Sequence, residues 1–598
     1  MAVSAMSVCS LKMRLFTCFT LCAALTISRG INAQEPSAAL KEADADYRAG
    51  VTALSRNDLN TAREDFEKVV QLAPSAEQGH SALGAVLVRL GHTSEGVREL
   101  EKALAIKPGD SSAQLNLALA YEQSGQHAKA LPWFAKAMAA SREEKRAVPA
   151  AVLAANARSL AATQQYSAAI ARMKEAIAEE PQNAEWHDEL GAIYAQHQDW
   201  ANAKQAFMAA LAVNPNLAMA HMRLGMALQA EQRPEALEEL TKAYELAPQN
   251  ALIVLELGQA LATHGDDEHA LPLLRRALEL DPGSATAAYQ LALILQRTNN
   301  VNEAIPLFQK AASAEAENAE LLTNLGMALC QAQRAKEAVP VLQRAVSLTP
   351  KNATAHQNLA AAYIQLSQFD DAVSQLHIAL KLSPDAAQLH YNLGLAFKMQ
   401  DDTAGAIPEF ETAEKLDPSE PEPPYALGML YMDAGRYDDA ARELNTSLKL
   451  RPENGDGWAT LGSVYNHLGQ LPEAASALEE AIRQLPGQPD PHLTLAAVLV
   501  KQNQPEEAAA ERKKAAELMR ANMSRQRAEV ASNSGNSLLK SGKVGDAIVE
   551  FRDALSYDPN YSEAHMGLAN ALQQQGKTAE AAAERQKAEA LEKKSGEQ

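Results

Sequence analysis

Alanine recurs along the chain at a fixed interval of 34 residues, as at Ala372, Ala406 and Ala440. Sixteen equivalent positions fall between residues 62 and 581, and fifteen of them hold alanine. A second small residue usually follows seven residues later, as Ala413 follows Ala406. Seven residues are two helical turns, so both small side chains share one helix face that a neighbouring helix can approach closely. The pattern predicts one such helix in every unit.

Each unit also carries the signs of an earlier helix and of two chain breaks. A small residue such as Gly326 or Gly394 marks the first helix, and a proline such as Pro418 follows the second. Proline cannot continue a helix, so it ends one unit and begins the next. Between the two helices stands a residue that tolerates the left-handed backbone conformation. These turn residues are Gly91, Gly125, Gly265, Gly435, Gly469, Gly542, Gly576, Asn57, Asn299 and Asn503.

Sixteen units of this kind run from residue 43 to about residue 595. A fixed period of this size indicates a solenoid. One helical hairpin buries too little apolar surface to be stable alone, whereas stacked hairpins share a continuous core. The sequence therefore predicts an all-α chain, an α-solenoid of helix-turn-helix repeats.

The segment from Tyr391 to Phe397, followed by Ala406, Phe410 and Pro418, resembles the tetratricopeptide repeat, or TPR. The resemblance extends over residues 43–595. It implies a right-handed superhelix whose first helices line an inner groove. It also implies that positions two, five, six, nine, twelve and thirteen of each unit face that groove.

The composition agrees with closely packed helices. Only 5% of the 598 residues are aromatic although 47% are hydrophobic, so the core consists mainly of Ala and Leu, which favour helices. Length alone would suggest about four globular domains, and the repeat replaces that expectation with an elongated array. The formal net charge of −20 disfavours nucleic acid or an anionic membrane surface as the partner.

The N-terminus has the pattern of a secretory signal. Lys12 and Arg14 precede a 13-residue apolar run from Leu15 to Ile27, which is shorter than the span of about 20 residues that a membrane helix needs. We predict that residues 1–33 are a signal peptide cleaved near Ala33, leaving a periplasmic or secreted chain with no membrane span. An uncleaved N-terminal anchor is the alternative. Only Cys330 would remain after cleavage, which excludes an intramolecular disulfide.

Two insertions of five residues, near residues 141–148 and 520–527, divide the array. We predict a linker at 34–42, repeats 1–3 at 43–147, repeats 4–14 at 148–524, repeats 15–16 at 525–595 and a tail at 596–598. Arg512 and Arg585 stand where other units have a large apolar residue, which is typical of capping helices with a polar outer face. The alternatives are that each insertion lengthens a helix and that Arg512 extends to solvent from an unbroken stack.

No catalytic motif accompanies the repeats. The chain lacks a phosphate-binding glycine loop, an HExxH sequence, a CxxC pair and a nucleophile elbow, so we expect no enzyme activity, no cofactor and no metal. Seven histidines occupy the fourth position of their units, where Trp458 stands in another unit. This position favours a packing role, because equivalent residues in successive units are about 10 Å apart, too far for shared metal ligation.

The predicted groove holds asparagine, tyrosine and methionine. Asn324, Asn358 and Asn392 share the sixth position of three successive units, an arrangement that resembles the asparagine ladder of O-GlcNAc transferases, which holds extended peptides. A carboxamide can donate to and accept from a peptide main chain, and inherited packing is the alternative. Methionine is adaptable and tyrosine gives rigid contact area. Further groove candidates are Tyr289, Tyr391, Tyr425, Met222, Met226, Met429 and Met432.

These patterns predict a non-enzymatic scaffold of the cell envelope that binds extended protein segments in its groove. The acidic charge favours neutral or basic partners. A periplasmic component for envelope assembly or exopolysaccharide export is the first alternative. An enzyme with an unrecognised active site is the second.

Overall fold

The computed structural model describes residues 38–143 and 145–596. The predicted signal peptide lies outside these residues. All 31 secondary-structure elements in the described part of the chain are α-helices. They form repeated helix pairs with the character of a solenoid, which confirms the predicted fold class.

The chain divides into two compact units, one ending at Ala314 and the other beginning at Glu315. The helices of the first unit are α1 (Ala38–Ser55), α2 (Leu59–Leu72), α3 (Glu77–Arg89), α4 (Thr93–Ile106), α5 (Ser111–Gln123), α6 (His127–Glu143), α7 (Ala150–Ala162), α8 (Tyr166–Glu179), α9 (Ala184–Gln196), α10 (Trp200–Val213), α11 (Ala218–Ala230), α12 (Ala236–Leu246), α13 (Ala251–Thr263), α14 (Asp267–Leu280), α15 (Ala285–Arg297) and α16 (Val301–Ala314).

The second unit begins in register with the same helix pairs. Its helices are α17 (Ala319–Gln331), α18 (Ala335–Leu348), α19 (Ala353–Gln365), α20 (Phe369–Leu382), α21 (Ala387–Met399), α22 (Thr403–Leu416), α23 (Glu422–Asp433), α24 (Tyr437–Leu450), α25 (Gly455–Leu468), α26 (Leu471–Gln484), α27 (Pro489–Lys501), α28 (Pro505–Lys540), α29 (Val544–Tyr557), α30 (Ser562–Gln574) and α31 (Thr578–Gly596).

Within each pair, a small residue of the first helix receives a large apolar side chain of the second. In the pair of α21 and α22, a Cβ atom added to Gly394 would lie 2.8 Å from the ring of Phe410. Phe410 and the flanking alanines, Ala406 and Ala413, are 0% exposed. The recurring alanines of the sequence therefore occupy the faces predicted for close helix packing.

The turn between the paired helices has the predicted left-handed backbone. All seven glycines and three asparagines predicted for this turn have positive φ angles. Non-glycine side chains adopt the same conformation in other units, as at Gln164, Gln198, Gln333 and Ser367. A left-handed conformation at such residues costs about 1 kcal/mol or more relative to glycine. The residues at these turns therefore do not favour the conformation themselves, and the flanking helices impose it.

The second insertion lengthens a helix. The second helix of one repeat continues into the first helix of the next as the 36-residue α28, which is why sixteen pairs give 31 helices. Arg512 in α28 and Arg585 in α31 are both exposed, which agrees both with polar outer faces of capping helices and with side chains that extend to solvent from an unbroken stack. The predicted boundary between residues 524 and 525 falls inside α28.

At the first insertion, α6 reaches Glu143 and Lys145 makes a left-handed turn. Residues 38–42, the end of the predicted linker, belong to α1. The module boundaries themselves stay predictions.

The turn geometry predicts opposite effects of two substitutions. Gly435→Ala should destabilise the protein by about 1 kcal/mol, because it places a Cβ at φ 71°. Gln333→Gly should stabilise it by about 0.5 kcal/mol, because it relieves the same conformation at φ 58°. Urea denaturation followed by circular dichroism measures both changes.

The matched control is Gly487→Ala. Gly487 has open space around the added Cβ and no positive φ, so its substitution should not destabilise the protein. Equal losses at Gly435 and Gly487 would contradict the account of the turns.

Candidate protein-binding face

The first helices of successive pairs lie beside one another. In the first unit α11 contacts α9 and α13, and in the second unit α25 contacts α23 and α27. We call the surface formed by the predicted groove positions of these first helices the inner face. It is the place where the candidate binding residues are found.

The three asparagines lie half-buried on α17, α19 and α21 of the second unit. The Oδ1 atom of Asn392 accepts a hydrogen bond from Nε2 of Gln388 at 3.0 Å. The Nδ2 atom of Asn358 is buried without a hydrogen-bond partner. A buried amide donor without a partner is unfavourable, so Asn358 is the member of the row whose amide donor is left unsatisfied in the described structure.

The tyrosines line the inner face with one side of each ring against the core. The ring centroids of Tyr391 and Phe410 are 5.5 Å apart, and those of Tyr289 and Phe308 are 6.0 Å apart. Burial raises the pKa of Tyr391 and of Tyr425, and both side chains are half-buried. Each tyrosine therefore keeps part of its surface exposed while packing fixes the position of its ring.

The methionines divide into two groups. Met226, Met429 and Met432 are half-buried, as a groove position requires. Met222 is only 2% exposed and packs in a core cluster with Leu240. The prediction that Met222 lines the groove was wrong, because the side chain turns between the two helices of its pair.

The predicted binding residues also do not belong to a single compact unit of the structure. Tyr289, Met222 and Met226 belong to the first unit, whereas Tyr391, Tyr425, Met429, Met432 and the three asparagines belong to the second. The two groups are therefore separate candidate surfaces.

The sequence patterns overlooked a series of charged residues on the inner face of the first unit. Arg158 on α7 donates from Nε to Oε1 of Glu122 on α5 at 2.7 Å. Its Nη1 atom lies 3.2 Å from Oε2 of Glu189 on α9. Burial lowers the pKa of Arg158, but the two carboxylates outweigh it and raise the pKa overall. Arg158 thus joins three successive first helices through half-buried ion pairs.

A second pair continues the series. Nη1 of Arg223 on α11 donates to Oδ2 of Asp188 on α9, and Asp188 is 6% exposed. Burial raises the pKa of Asp188, with Arg223 acting in the opposite direction. The Oδ1 atom of Asp188 and the Nε atom of Arg223 remain buried without hydrogen-bond partners. The pair therefore has one unused acceptor and one unused donor.

Glu256 on α13 ends the series and has no ion pair or hydrogen bond among the described residues. Burial raises the pKa of this half-buried carboxyl to about 7, and no neighbouring charge contributes. The basic residues on α11, α12, α14 and α15, the helices that pack against α13, are all paired with other acids. Those pairs are Arg223–Asp188, Lys242–Glu239, Arg275–Glu303, Arg276–Glu279 and Arg297–Asp267.

A signal for these residues was present in the sequence. Glu189, Arg223 and Glu256 stand at the sixth position of their units, the same position as Asn324, Asn358 and Asn392. Comparing the sixth position across all units, rather than following asparagine alone, would have revealed a charged row in the first unit and an amide row in the second.

The fourth-position histidines have a structural role. The Nε2 atom of His80 lies 3.0 Å from the carbonyl oxygen of Pro74, and its Nδ1 atom lies 2.6 Å from Oε2 of Glu99 on the second helix. His390 repeats this arrangement with Pro384 and Glu409, and Trp458 donates to the carbonyl of Pro452. The side chain at this position therefore ties the proline loop to the helix pair that follows it.

Comparisons with known proteins agree with the helix pairs. Residues 81–144, 154–218 and 226–285, residues 285–318 and residues 538–594 match tetratricopeptide repeat models. Residues 318–533 match the model of the C-terminal domain of cilia and flagella-associated protein 70. The repeated helical hairpins and these matches show that the chain is a tetratricopeptide repeat protein.

Several solved structures are similar to parts of the chain. The TPR protein YrrB, described as having an unusual peptide-binding site, is 28% identical with a TM-score of 0.29, over 33% of this chain and 99% of YrrB. The Cut9–Hcn1 hetero-tetramer of the APC/C is 15% identical with a TM-score of 0.32, over 89% of this chain and 96% of that one. MamA is 23% identical with a TM-score of 0.26, over 27% and 94%. A search of curated proteins found no match.

No helix within residues 38–143 and 145–596 is long and apolar enough to cross a membrane.

The isolated charge of Glu256 predicts a stability change that depends on pH. Its raised pKa means that the folded protein favours the neutral carboxyl, so stability is lost as the pH rises from about 4.5 to above 7. Glu256→Gln should avoid this loss and stabilise the protein at pH 8, on the order of 1–2 kcal/mol after allowing for partial exposure. Urea denaturation of variant and wild type at pH 4, 6 and 8 measures the difference.

Glu245→Gln is the matched control, because Glu245 is an exposed acid on α12. Its effect should be small at every pH. A Glu256→Gln difference that does not grow between pH 4 and pH 8 would show that Glu256 has a compensating partner.

Proposed function

We propose that the protein is a non-enzymatic scaffold that binds extended protein segments along the inner face of its first helices. The tetratricopeptide repeat matches support a protein-binding scaffold over the residues that they cover. The observation that carries the proposal is Asn358, whose Nδ2 atom lacks a partner in the middle of a row of amide side chains. A main-chain carbonyl of a bound segment is the acceptor that this donor needs.

The surroundings of the asparagine row suit a varied partner. Tyr391 and Tyr425 present rigid rings, and Met429 and Met432 can adjust their side chains to different shapes. Main-chain hydrogen bonds would hold any extended segment, and these side chains would contact its residues. The net charge of −20 favours partners that are neutral or basic.

We propose two alternative cellular locations for the scaffold, and each is supported by a different part of the chain. The signal-like residues 1–33 support export and a scaffold of the cell envelope, including the assembly or exopolysaccharide role. The match of residues 318–533 to a domain named for cilia and flagella supports a scaffold in such an assembly instead. The two differ in whether residues 1–33 direct export.

The asparagine row gives the test of the function. We expect the full chain to select linear peptides from a random 16-residue phage library. The triple variant Asn324→Ala, Asn358→Ala and Asn392→Ala should bind peptides held in the second unit at least about 10-fold more weakly, because each main-chain hydrogen bond is worth about 1 kcal/mol. Fluorescence anisotropy with synthetic copies of the selected peptides measures the affinities.

The control variant carries Ser347→Ala and Ser374→Ala, which remove exposed hydroxyl groups from the second helices α18 and α20. It should bind like the wild type. Unchanged affinity of every selected peptide for the triple variant would show that the asparagines serve packing alone, and failure of the wild type to select any peptide would overturn the scaffold proposal.

A further inference from the structure

The inner face of the first unit neutralises its charges in a regular way. Each buried or half-buried charge on α5, α7, α9 and α11 meets an opposite charge on a neighbouring first helix, as Arg158 meets Glu122 and Glu189. An unpaired charge in such surroundings is unfavourable, since burial removes water without supplying a replacement. Glu256 is the exception to this arrangement.

The position of Glu256 in the repeat explains why it lacks a partner. Glu189 stands at the sixth position of its unit and meets Arg158 from the ninth position of the preceding unit. Glu256 also stands at the sixth position, but the ninth position of its preceding unit holds Met226. The position that Arg158 occupies in its repeat is thus held by the half-buried thioether of Met226 two repeats later.

We infer that Glu256 binds a lysine or arginine side chain of a protein segment lying along α11 and α13, and this inference rests on the scaffold function proposed above. Met219 and Met226 are partly buried apolar residues of the same helix pair cluster. They provide a wall for the aliphatic part of a long basic side chain, while its charged end meets the carboxylate.

A second observation, in the two preceding repeats, also indicates a ligand. Asp188 is 6% exposed, and its Oδ1 atom has no hydrogen-bond partner. The adjacent Nε atom of Arg223 is an unpartnered donor. A polypeptide main chain carries both N–H donors and carbonyl acceptors, so the main chain of the same segment can pair with both atoms once the ion pair moves to expose them.

The absence of a competing cation makes the site selective. The basic residues on all four helices packed against α13 are held by other acids. A bound lysine or arginine therefore meets a carboxylate that has no partner to lose. A neutral residue at the same place would leave the charge unpaired, so the site discriminates by removing an unfavourable state as well as by attraction.

A double-mutant cycle on the full chain tests the inference. The probes are synthetic 16-residue peptides selected by the wild type from a random linear library, each made with its central lysine and with norleucine in its place. On the wild type, the norleucine peptide should bind about 10-fold more weakly. On Glu256→Gln, the lysine and norleucine peptides should bind within about 2-fold of each other, because the charge that separates them is gone.

Glu245→Gln removes one exposed acid from α12 and should leave the 10-fold discrimination unchanged, which separates a local pair from general attraction by an acidic protein. Equal discrimination by the wild type and Glu256→Gln would overturn the role of Glu256 while leaving the scaffold function standing. Selection of no peptide at all by the wild type would instead overturn the scaffold function.

Discussion

The close contact between a small residue of one helix and a large residue of its partner determines the rest of this structure. Gly394 has room for no side chain beside Phe410, and Ala406 and Ala413 are fully buried in the same pair. Two helices can approach this closely only when one of them presents small residues. Since the contact recurs every 34 residues, each pair presents the same inner positions to its neighbours.

The core contacts use the positions that hold alanine, glycine and the large apolar residues, so the sixth and ninth positions can vary without disturbing the pair. The sixth position holds Asn324, Asn358 and Asn392 in three repeats of the second unit, and Glu189, Arg223 and Glu256 in three repeats of the first. A carboxylate such as Glu256, which lacks a partner, lowers stability, and natural proteins accept such residues where they serve a function.

The fold class could be predicted from the sequence, because the same pattern of small and large apolar residues recurs in sixteen units. The sequence was also sufficient for the turns at Gly435 and Asn503, since these residues tolerate left-handed backbone. It did not reveal the same turn at Gln333, where the flanking helices impose the conformation. It misplaced Met222, because the repeat pattern does not show that this side chain packs in the core cluster that contains Leu240. The sequence also does not reveal that Glu256 lacks a partner, because the pairing of the surrounding basic residues with other acids is set by the folded structure.

The most direct test of the account is photo-crosslinking in cells from defined positions of the full chain. A benzophenone amino acid at Met226 or Met432, on first helices, should yield protein adducts after irradiation. The same amino acid at Ile378, which is 37% exposed on the second helix α20, should yield none of those adducts. Adducts from Ile378, with none from Met226 or Met432, would contradict the claim that the inner face is the binding surface.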